Sequence, residues 1–447
     1  MNKVTQWLQD NNVEEVQCVT GDHTGISRGK ILPVQTFIDD QGFRIAEAIL
    51  LQAACGDLID DKFLFKLVDE RDLDMVLKPD ENACYLLPWT KKPTAMIIHD
   101  SFLQDGTPNS LSPRVILQKV LSLYKDKGLT PVVAPEMELY LTQTNDDSNI
   151  PLKPPIGRSG RRESGRQSFG IEALSEFSPF VDDIYDWAKK LNLDLDAVVH
   201  EEGTAQFEFN LVHGDALSLA DQVFVFKRLV KEAATKHGFT ATFMAKPISG
   251  QPGSAMHIHQ SIVDSKTGEN IFANEDGDTE AFAHYIGGLQ RYTPEVLAIY
   301  APHVNSYRRF VAGIAAPVNI HWGLENRAVG LRVPSSPIQA RRVENRLPGA
   351  DSNPYLAIAA TLLCGYLGME EKIEPTEATN HRANYNLDDR LPLNIDAAIA
   401  AFEHSETLKK YLGEAFVKGF AETRKADYEN FKNVISSWER NFLLTTV

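Results

Sequence analysis

The chain has no pair of cysteines close enough in sequence to form a metal or redox motif; its four, Cys18, Cys55, Cys84 and Cys364, are scattered. They read as reduced core thiols, the usual state in cytosol. No apolar run reaches the roughly 18 residues of a membrane span. The opening Met1-Asn-Lys-Val-Thr-Gln-Trp-Leu8 lacks the apolar stretch of a signal peptide. The expected location is therefore the cytoplasm. Positive charge is scarce: 45 Lys and Arg stand against 61 Asp and Glu, a net charge of −16. The basic face of a nucleic-acid binder is missing. Neither a Gly-x-x-x-x-Gly-Lys-Ser/Thr loop nor a Rossmann glycine fingerprint is present, so any nucleotide must be held by another device.

At 447 residues the chain is too long for one typical core, and two domains are expected. Residues 1–10 read as a short amphipathic helix through Val4, Trp7 and Leu8, followed to about Asp100 by short strands broken by turns such as Gly21-Asp-His-Thr-Gly25. Asp105-Gly-Thr-Pro-Asn109 is a turn cluster, and Ser112-Pro113 then predicts a helix with a serine cap and proline at its first position. The boundary is placed near residue 106, giving domains 1–106 and 107–447. A second amphipathic helix is expected from Leu217 to Lys236, and helices again after Asn394. The basic island Gly157-Arg-Ser-Gly-Arg-Arg-Glu-Ser-Gly-Arg-Gln-Ser168 reads either as a solvated loop or as a flap near phosphate groups.

Three segments put acids or histidines at alternate positions of a strand. In Pro135-Glu-Met-Glu-Leu-Tyr-Leu141, Glu136 and Glu138 alternate with Met137, Leu139 and Leu141. In Ala205-Gln-Phe-Glu-Phe-Asn210, Glu208 alternates with Phe207 and Phe209, and Glu201 lies upstream. In Pro252-Gly-Ser-Ala-Met-His-Ile-His-Gln-Ser261, His257 and His259 share a face opposite Met256 and Ile258. Arg342-Val-Glu-Asn-Arg346 repeats the device. Because strand side chains alternate between faces, each segment offers polar groups to one side and apolar groups to a core.

Carboxylates facing a common space raise each other's pKa unless a cation sits between them. Oxygen-rich ligands of this kind suit Mg²⁺ or Mn²⁺ better than Zn²⁺. Arg309, Arg327, Arg332, Arg342 and Arg346 follow. Acids that hold metal, joined to several guanidinium groups, are the equipment of phosphoryl transfer from a nucleotide. Taken singly, each piece has an ordinary reading: a lone Glu-x-Glu is a solvated strand face roughly four times in five. Spacing alone does not bring the strands together.

These residues resemble the glutamine synthetase family. The resemblance rests on Pro135-Glu-Met-Glu138, on Lys246-Pro247 with Gly253-Ser-Ala-Met-His-Ile-His-Gln-Ser261, and on Asn305-Ser-Tyr-Arg-Arg309. It continues through Ala316-Pro317, Glu325-Asn-Arg327, Leu331-Arg-Val-Pro334, Arg342-Val-Glu-Asn-Arg-Leu-Pro348 and Asn353-Pro-Tyr355, in family order. It implies an α+β fold: a small N-terminal β-grasp domain, then a large catalytic domain with a curved antiparallel sheet and flanking helices. It implies two or more Mg²⁺ (or Mn²⁺) per site, one held by Glu138, Glu201 and Glu208, the other by Glu136, His257 and Glu344, with Glu202 as the alternative to Glu201. Gly253, Arg309 and Arg346, beside His257, would position glutamate. Arg327 would stabilise the transferring phosphoryl group, with Arg332, Arg342, His259 and Ser261 around ATP. Family members stack two hexameric rings and share active sites between subunits, so a homo-oligomer is implied.

Two departures redirect the expected activity. Glutamine synthetases carry a glutamate that helps hold ammonium where Val311-Ala-Gly-Ile-Ala-Ala-Pro317 here has Ala315. Their Asp-Gly-Ser-Ser loop is absent, Gln52-Ala-Ala-Cys-Gly-Asp57 standing in that region. The Tyr-containing segment adenylylated in bacterial members is not recognisable around Tyr385-Asn-Leu-Asp-Asp389 either. An ammonium site without its carboxylate binds that cation poorly, and alanine leaves room for a carbon chain. The chain resembles the γ-glutamylputrescine (γ-glutamylpolyamine) synthetase subgroup, in His213-Gly-Asp-Ala-Leu217 and Phe243-Met-Ala-Lys-Pro247 as well as the basic island. The implied reaction joins the γ-carboxylate of L-glutamate to an amine of putrescine or another polyamine through γ-glutamyl phosphate. The alternatives are a monoamine or ethanolamine ligase, or glutamine synthesis with ammonium.

Overall fold

The computed structural model describes residues 3–313 and 316–447. Its first sheet has five strands: β1 (Glu15–Gly21), β2 (Ser27–Pro33), β3 (Phe43–Ala46), β4 (Asp74–Leu86) and β5 (Thr94–Phe102), in the order β2-β1-β5-β4-β3. β1 and β5 pair in parallel and the other neighbours are antiparallel, which is the β-grasp arrangement. The expected short strands are not all short: β4 runs 13 residues because a register shift between Pro79 and Cys84 lets it bend without ending. Helix Lys3–Asp10 packs Val4 and Leu8 into a core with Val16, Cys18, Leu77 and Ile97.

The second sheet holds β6 (Leu129–Gln143), β7 (Leu195–His200), β8 (Gln206–Leu211), β9 (Gly214–Asp215), β10 (Phe239–Thr242) and β11 (Met256–Asp264). A separate ribbon, β12 (Ala273–Asn274) and β13 (Gly277–Asp278), comes next, and then β14 (Trp322–Leu324), β15 (Leu331–Val333) and β16 (Val343–Asn345) return to the sheet. The strand order is β14-β15-β16-β11-β6-β8-β7, with β9 and β10 also paired to β6. Only β14–β15 is parallel.

Helices cover the apolar face of this sheet. Pro354–Glu371 is buried from Pro354 to Gly368 on every side, so it reads as a core helix without an amphipathic stripe. It starts where expected of its sequence: Asn353 accepts from the Tyr355 and Leu356 amides, and proline fills the first position. It lies against Glu280–Tyr300 at a glycine crossing, where a Cβ on Gly288 would meet Gly368 Cα at 2.5 Å. The expected helix at 217–236 spans Ala216–Lys236, capped by Asp215 through the Ser218 amide. Pro113–Asp126 also forms with proline first, but the Ser112 side chain makes no cap hydrogen bond.

One guanidinium ties the first sheet to the helices that cover the second. Arg114, 3% exposed, meets Asp80 on β4 at 2.6 Å, Asp100 on β5, and Asp221 at 2.8 Å. Tyr355 donates its hydroxyl to the same Asp221 at 2.7 Å. Among the described residues no helix is long and apolar enough to cross a membrane.

Candidate active site

The period-two pattern becomes a site through register. On β6 and β11, His257 stands opposite Glu136; on β6 and β8, Glu138 stands opposite Glu208. On β16, Glu344 is opposite both His259 of β11 and Arg332 of β15. The opposite faces of these strands carry Met137, Leu139, Phe207, Phe209, Met256 and Ile258, all completely buried. Slipping any of these strands by one residue would turn those side chains out and the acids into the core, so burial fixes the polar constellation.

Distances show convergence. His257 Nδ1 is 3.3 Å from Glu136 and 3.5 Å from Glu344, and its Nε2 is 3.9 Å from Glu138. His259 Nε2 lies 2.9 Å from the other Glu136 oxygen. Two sets of ligand atoms lie within 4.8 Å of one another: Glu136, Glu208 and His257, and Glu136, His259 and Glu344. These groupings cut across the implied sharing of ligands, with Glu136 central to both and His259 drawn among the acids. Glu138 is held by the Ala255 amide at 2.9 Å and Gln206 at 3.3 Å, and Glu201 accepts from the Glu202 amide at 3.3 Å. Glu202 itself is paired with Arg166 of the basic island.

The electrostatics are those of acids crowded against one another. Burial, then the charge on Glu201, pushes Glu138 up to about 8. Burial, then Glu136, Glu138 and Glu201, pushes Glu208 up to about 9, and burial also raises Glu201. For Glu136, burial acts upward but the hydrogen bonds from His257 and His259 prevail and hold it well below the carboxylate range. For Glu344, burial likewise acts upward, and Arg346 followed by the two histidines brings it to about 2. Acid oxygens that must stay protonated beside two imidazoles fit a hard divalent cation, which would take the place of those protons.

The arginines come from strand β15, from a 3₁₀ turn and from chain flanking β16. Arg346 donates to Glu344 at 2.5 Å and Arg332 donates to its second oxygen at 2.8 Å. Arg309 is 2% exposed and donates to the Leu347 and Arg346 carbonyls at 2.6 and 2.7 Å. Gly253 lies under its stem: a Cβ there would meet Arg309 Cγ at 2.6 Å and the Ala245 carbonyl at 2.7 Å.

A cavity of about 820 Å³ takes in Glu136, Glu138, Glu201, Glu208, His257, Gly253, Arg309, Arg327, Arg332 and Arg346. A second, of about 560 Å³, is lined by His259, Ser261 and Arg342 and shares Glu136 and Asn210 with the first. The residues assigned to ATP are therefore divided between the two, Arg327 and Arg332 in the larger and the other three in the smaller. Sequence reasoning missed Gln206, which bridges Glu138 and the Gly253 carbonyl, and Phe169, Arg382 and Asn384 in the larger wall. Gln206 had a usable signal, sharing the strand face of Glu208. Of the basic island, Arg166 and Ser168 line the larger cavity. Ala315 lies outside the described residues.

The fold and this acid–arginine cavity define a phosphoryl-transferring ligase. The family described as glutamine synthetase, catalytic domain, matches residues 110–443, and the chain belongs to the glutamine synthetase family as an ATP-dependent glutamate ligase. It is 32% identical over 447 residues to the glutamate–isopropylamine ligase of Pseudomonas sp, covering 98% of this chain and 96% of that one. It is 31% identical over 440 residues to the γ-glutamylputrescine synthetase PuuA of Escherichia coli K12, covering 97% and 92%. It is 32% identical over 425 residues to the glutamine synthetase of Pyrococcus abyssi, covering 93% and 90%. Among solved structures, GmaS without ligand aligns with TM-score 0.85 at 28% identity over the whole of both chains, and a GmaS–ADP complex aligns with TM-score 0.85 at 27% over 99% of this chain and the whole of that one.

Proposed function

We propose that the chain joins the γ-carboxylate of L-glutamate to a primary amine of putrescine or another polyamine, using ATP and passing through γ-glutamyl phosphate. The observation that carries this reading is a phosphoryl-transfer cavity with its acids and arginines in place, in a chain with Ala315 where glutamine synthetases have the ammonium-binding glutamate. Its sequence neighbours Gly313 and Ala316, which line that cavity, are also small. Identity does not choose the amine, because ligases for isopropylamine, putrescine and ammonia match equally well.

Glu136, Glu138, Glu201, Glu208, His257 and Glu344 would hold Mg²⁺ or Mn²⁺, which neutralises phosphate charge when bound. Arg309 and Arg346, with Gly253 leaving the space beside them, orient glutamate by its charged groups. Arg346 Nε is buried with no hydrogen-bond partner among the described residues. Arg327 lies in the same cavity and stabilises charge on the phosphoryl group as it passes from ATP to the γ-carboxylate oxygen. His259, Ser261 and Arg342 in the smaller cavity hold the nucleotide. A neutral amine then attacks the acyl carbon, phosphate leaves, and the nitrogen loses a proton as the amide forms. Enclosure keeps water from the acyl phosphate and supplies the orientation. The working form is a cytoplasmic homo-oligomer of two stacked rings.

The test is phosphate release with ATP, Mg²⁺ and glutamate against ammonium, ethanolamine, a monoamine, putrescine, spermidine and spermine, with product mass confirmed. Turnover with the di- and polyamines and none with ammonium is expected. Turnover with ammonium at ordinary concentrations would return the chain to glutamine synthesis, and a short monoamine matching every diamine would remove the polyamine assignment.

A further inference from the structure

Behind the larger cavity, away from its acids, lies a polar group that the reaction as described does not use. Asp351 sits in the turn between β16 and helix Pro354–Glu371. One of its oxygens accepts from Ser306 Oγ at 2.5 Å, and the other is buried without a partner among the described residues. Ser306 Oγ in turn accepts from the His303 amide at 3.0 Å, which makes it part of the cap that starts the 3₁₀ turn Val304–Arg309. That turn ends in Arg309, whose guanidinium is held by the Arg346 and Leu347 carbonyls. The side chain that reaches the cavity is thus fixed at both ends to one stretch, residues 346–351: at its head by two carbonyls, at its root by Asp351 through Ser306. Lys227 secures the next residue by donating to the Ser352 carbonyl at 2.8 Å, and the Lys227 and Arg309 charges both act on the Asp351 carboxylate.

We propose that Asp351 is a positioning residue for the glutamate site, setting the direction of Arg309 through Ser306. The inference rests on the reading that Arg309 takes glutamate. It separates two kinds of residue in this region. In that reading Arg309 and Arg346 touch the substrate, whereas Ser306 and Asp351 act through Arg309 and hydrogen-bond to none of the nucleotide-assigned residues among those described. A hydrogen bond to a charged group contributes enough that its loss weakens a dependent interaction by about tenfold or more.

The experiment is calorimetric titration of L-glutamate into the full-length protein loaded with ADP and Mg²⁺, for the wild type, Asp351→Asn and Ser306→Ala, with ADP affinity measured separately. Asp351→Asn removes the charge, whereas Ser306→Ala removes the link at little cost in volume and guards against a variant that fails to fold. Glutamate binding about tenfold weaker in both variants, with ADP affinity within twofold of wild type, is the expected result. Unchanged glutamate affinity in Ser306→Ala, or glutamate and ADP affinities falling together, overturns the positioning role. A wild-type protein that binds ADP but no glutamate overturns the functional reading as well, so the two failures are distinct.

Discussion

Replacing Glu208 by glutamine tests whether the acid cluster is strained in the absence of metal. Glu208 is pushed from its ordinary 4.5 to about 9 by burial and by Glu136, Glu138 and Glu201. The folded protein therefore keeps a proton on this carboxyl that the unfolded chain has lost, and the cost of folding grows as pH rises from 4.5 towards 9. At about 1.4 kcal/mol per pH unit, pH 8 gives about 5 kcal/mol, and halving this for the solvent in the cavity leaves about 2–3 kcal/mol. Glutamine removes that cost. With roughly 2.1 cal/mol/K of unfolding entropy per residue, a chain of this length should melt about 2–3 °C higher as Glu208→Gln than as wild type, both free of metal at pH 8. The gap should close below about pH 4, where the wild-type carboxyl is protonated in both states. Mg²⁺ in hundredfold excess over its dissociation constant should add about 2.7 kcal/mol to the wild type and much less to the variant, which should be inactive. Scanning fluorimetry in chelator and in Mg²⁺ at both pH values reads all four quantities. A metal-free variant that melts below wild type at pH 8 would refute the repulsion argument.

Other perturbations follow from the same geometry. Gly253→Ala should raise the glutamate KM at least tenfold with melting lowered only slightly, because its methyl group would press on the Arg309 stem and the Ala245 carbonyl; steady-state kinetics with varied glutamate check this. Arg327→Ala should lower kcat by about a thousandfold while leaving ADP affinity within a few-fold, measured by phosphate release and titration. Arg114→Met leaves three aspartates, one of them almost fully buried, without their shared cation and should destabilise the chain by about 3–5 kcal/mol in urea unfolding.

The alternation of acids with large apolar residues was enough to foretell which face of each strand meets the core, because burial of Phe207, Phe209, Met137 and Ile258 allows only one orientation. It could not foretell that β11 lies between β6 and β16, since partner choice depends on long-range pairing that no local pattern records. The family resemblance supplied that neighbourhood. Asp351 shows the other limit. In sequence it is an acid in a Gly-Ala-Asp-Ser turn, which ordinarily faces water; only the fold reveals that Ser306 has taken one oxygen and that the other is closed in. The island at 157–168 reads as loop from its composition and is loop, but the ion pair of Arg166 with Glu202 brings its end to the cavity wall, where local sequence gives no distance.

The two cavities meet at Glu136 and Asn210. In the proposed assignment the nucleotide enters from the smaller cavity and glutamate with its acceptor from the larger, and Arg327 and Arg332 meet the phosphates where the two join. In that assignment ADP need not depart before the amine arrives, and the amide can leave while the spent nucleotide stays. Traffic of this kind favours a kinetic order in which the slow exchange of one side does not block the other. Widening the acceptor entrance by mutation should then change amine choice without disturbing the turnover of nucleotide.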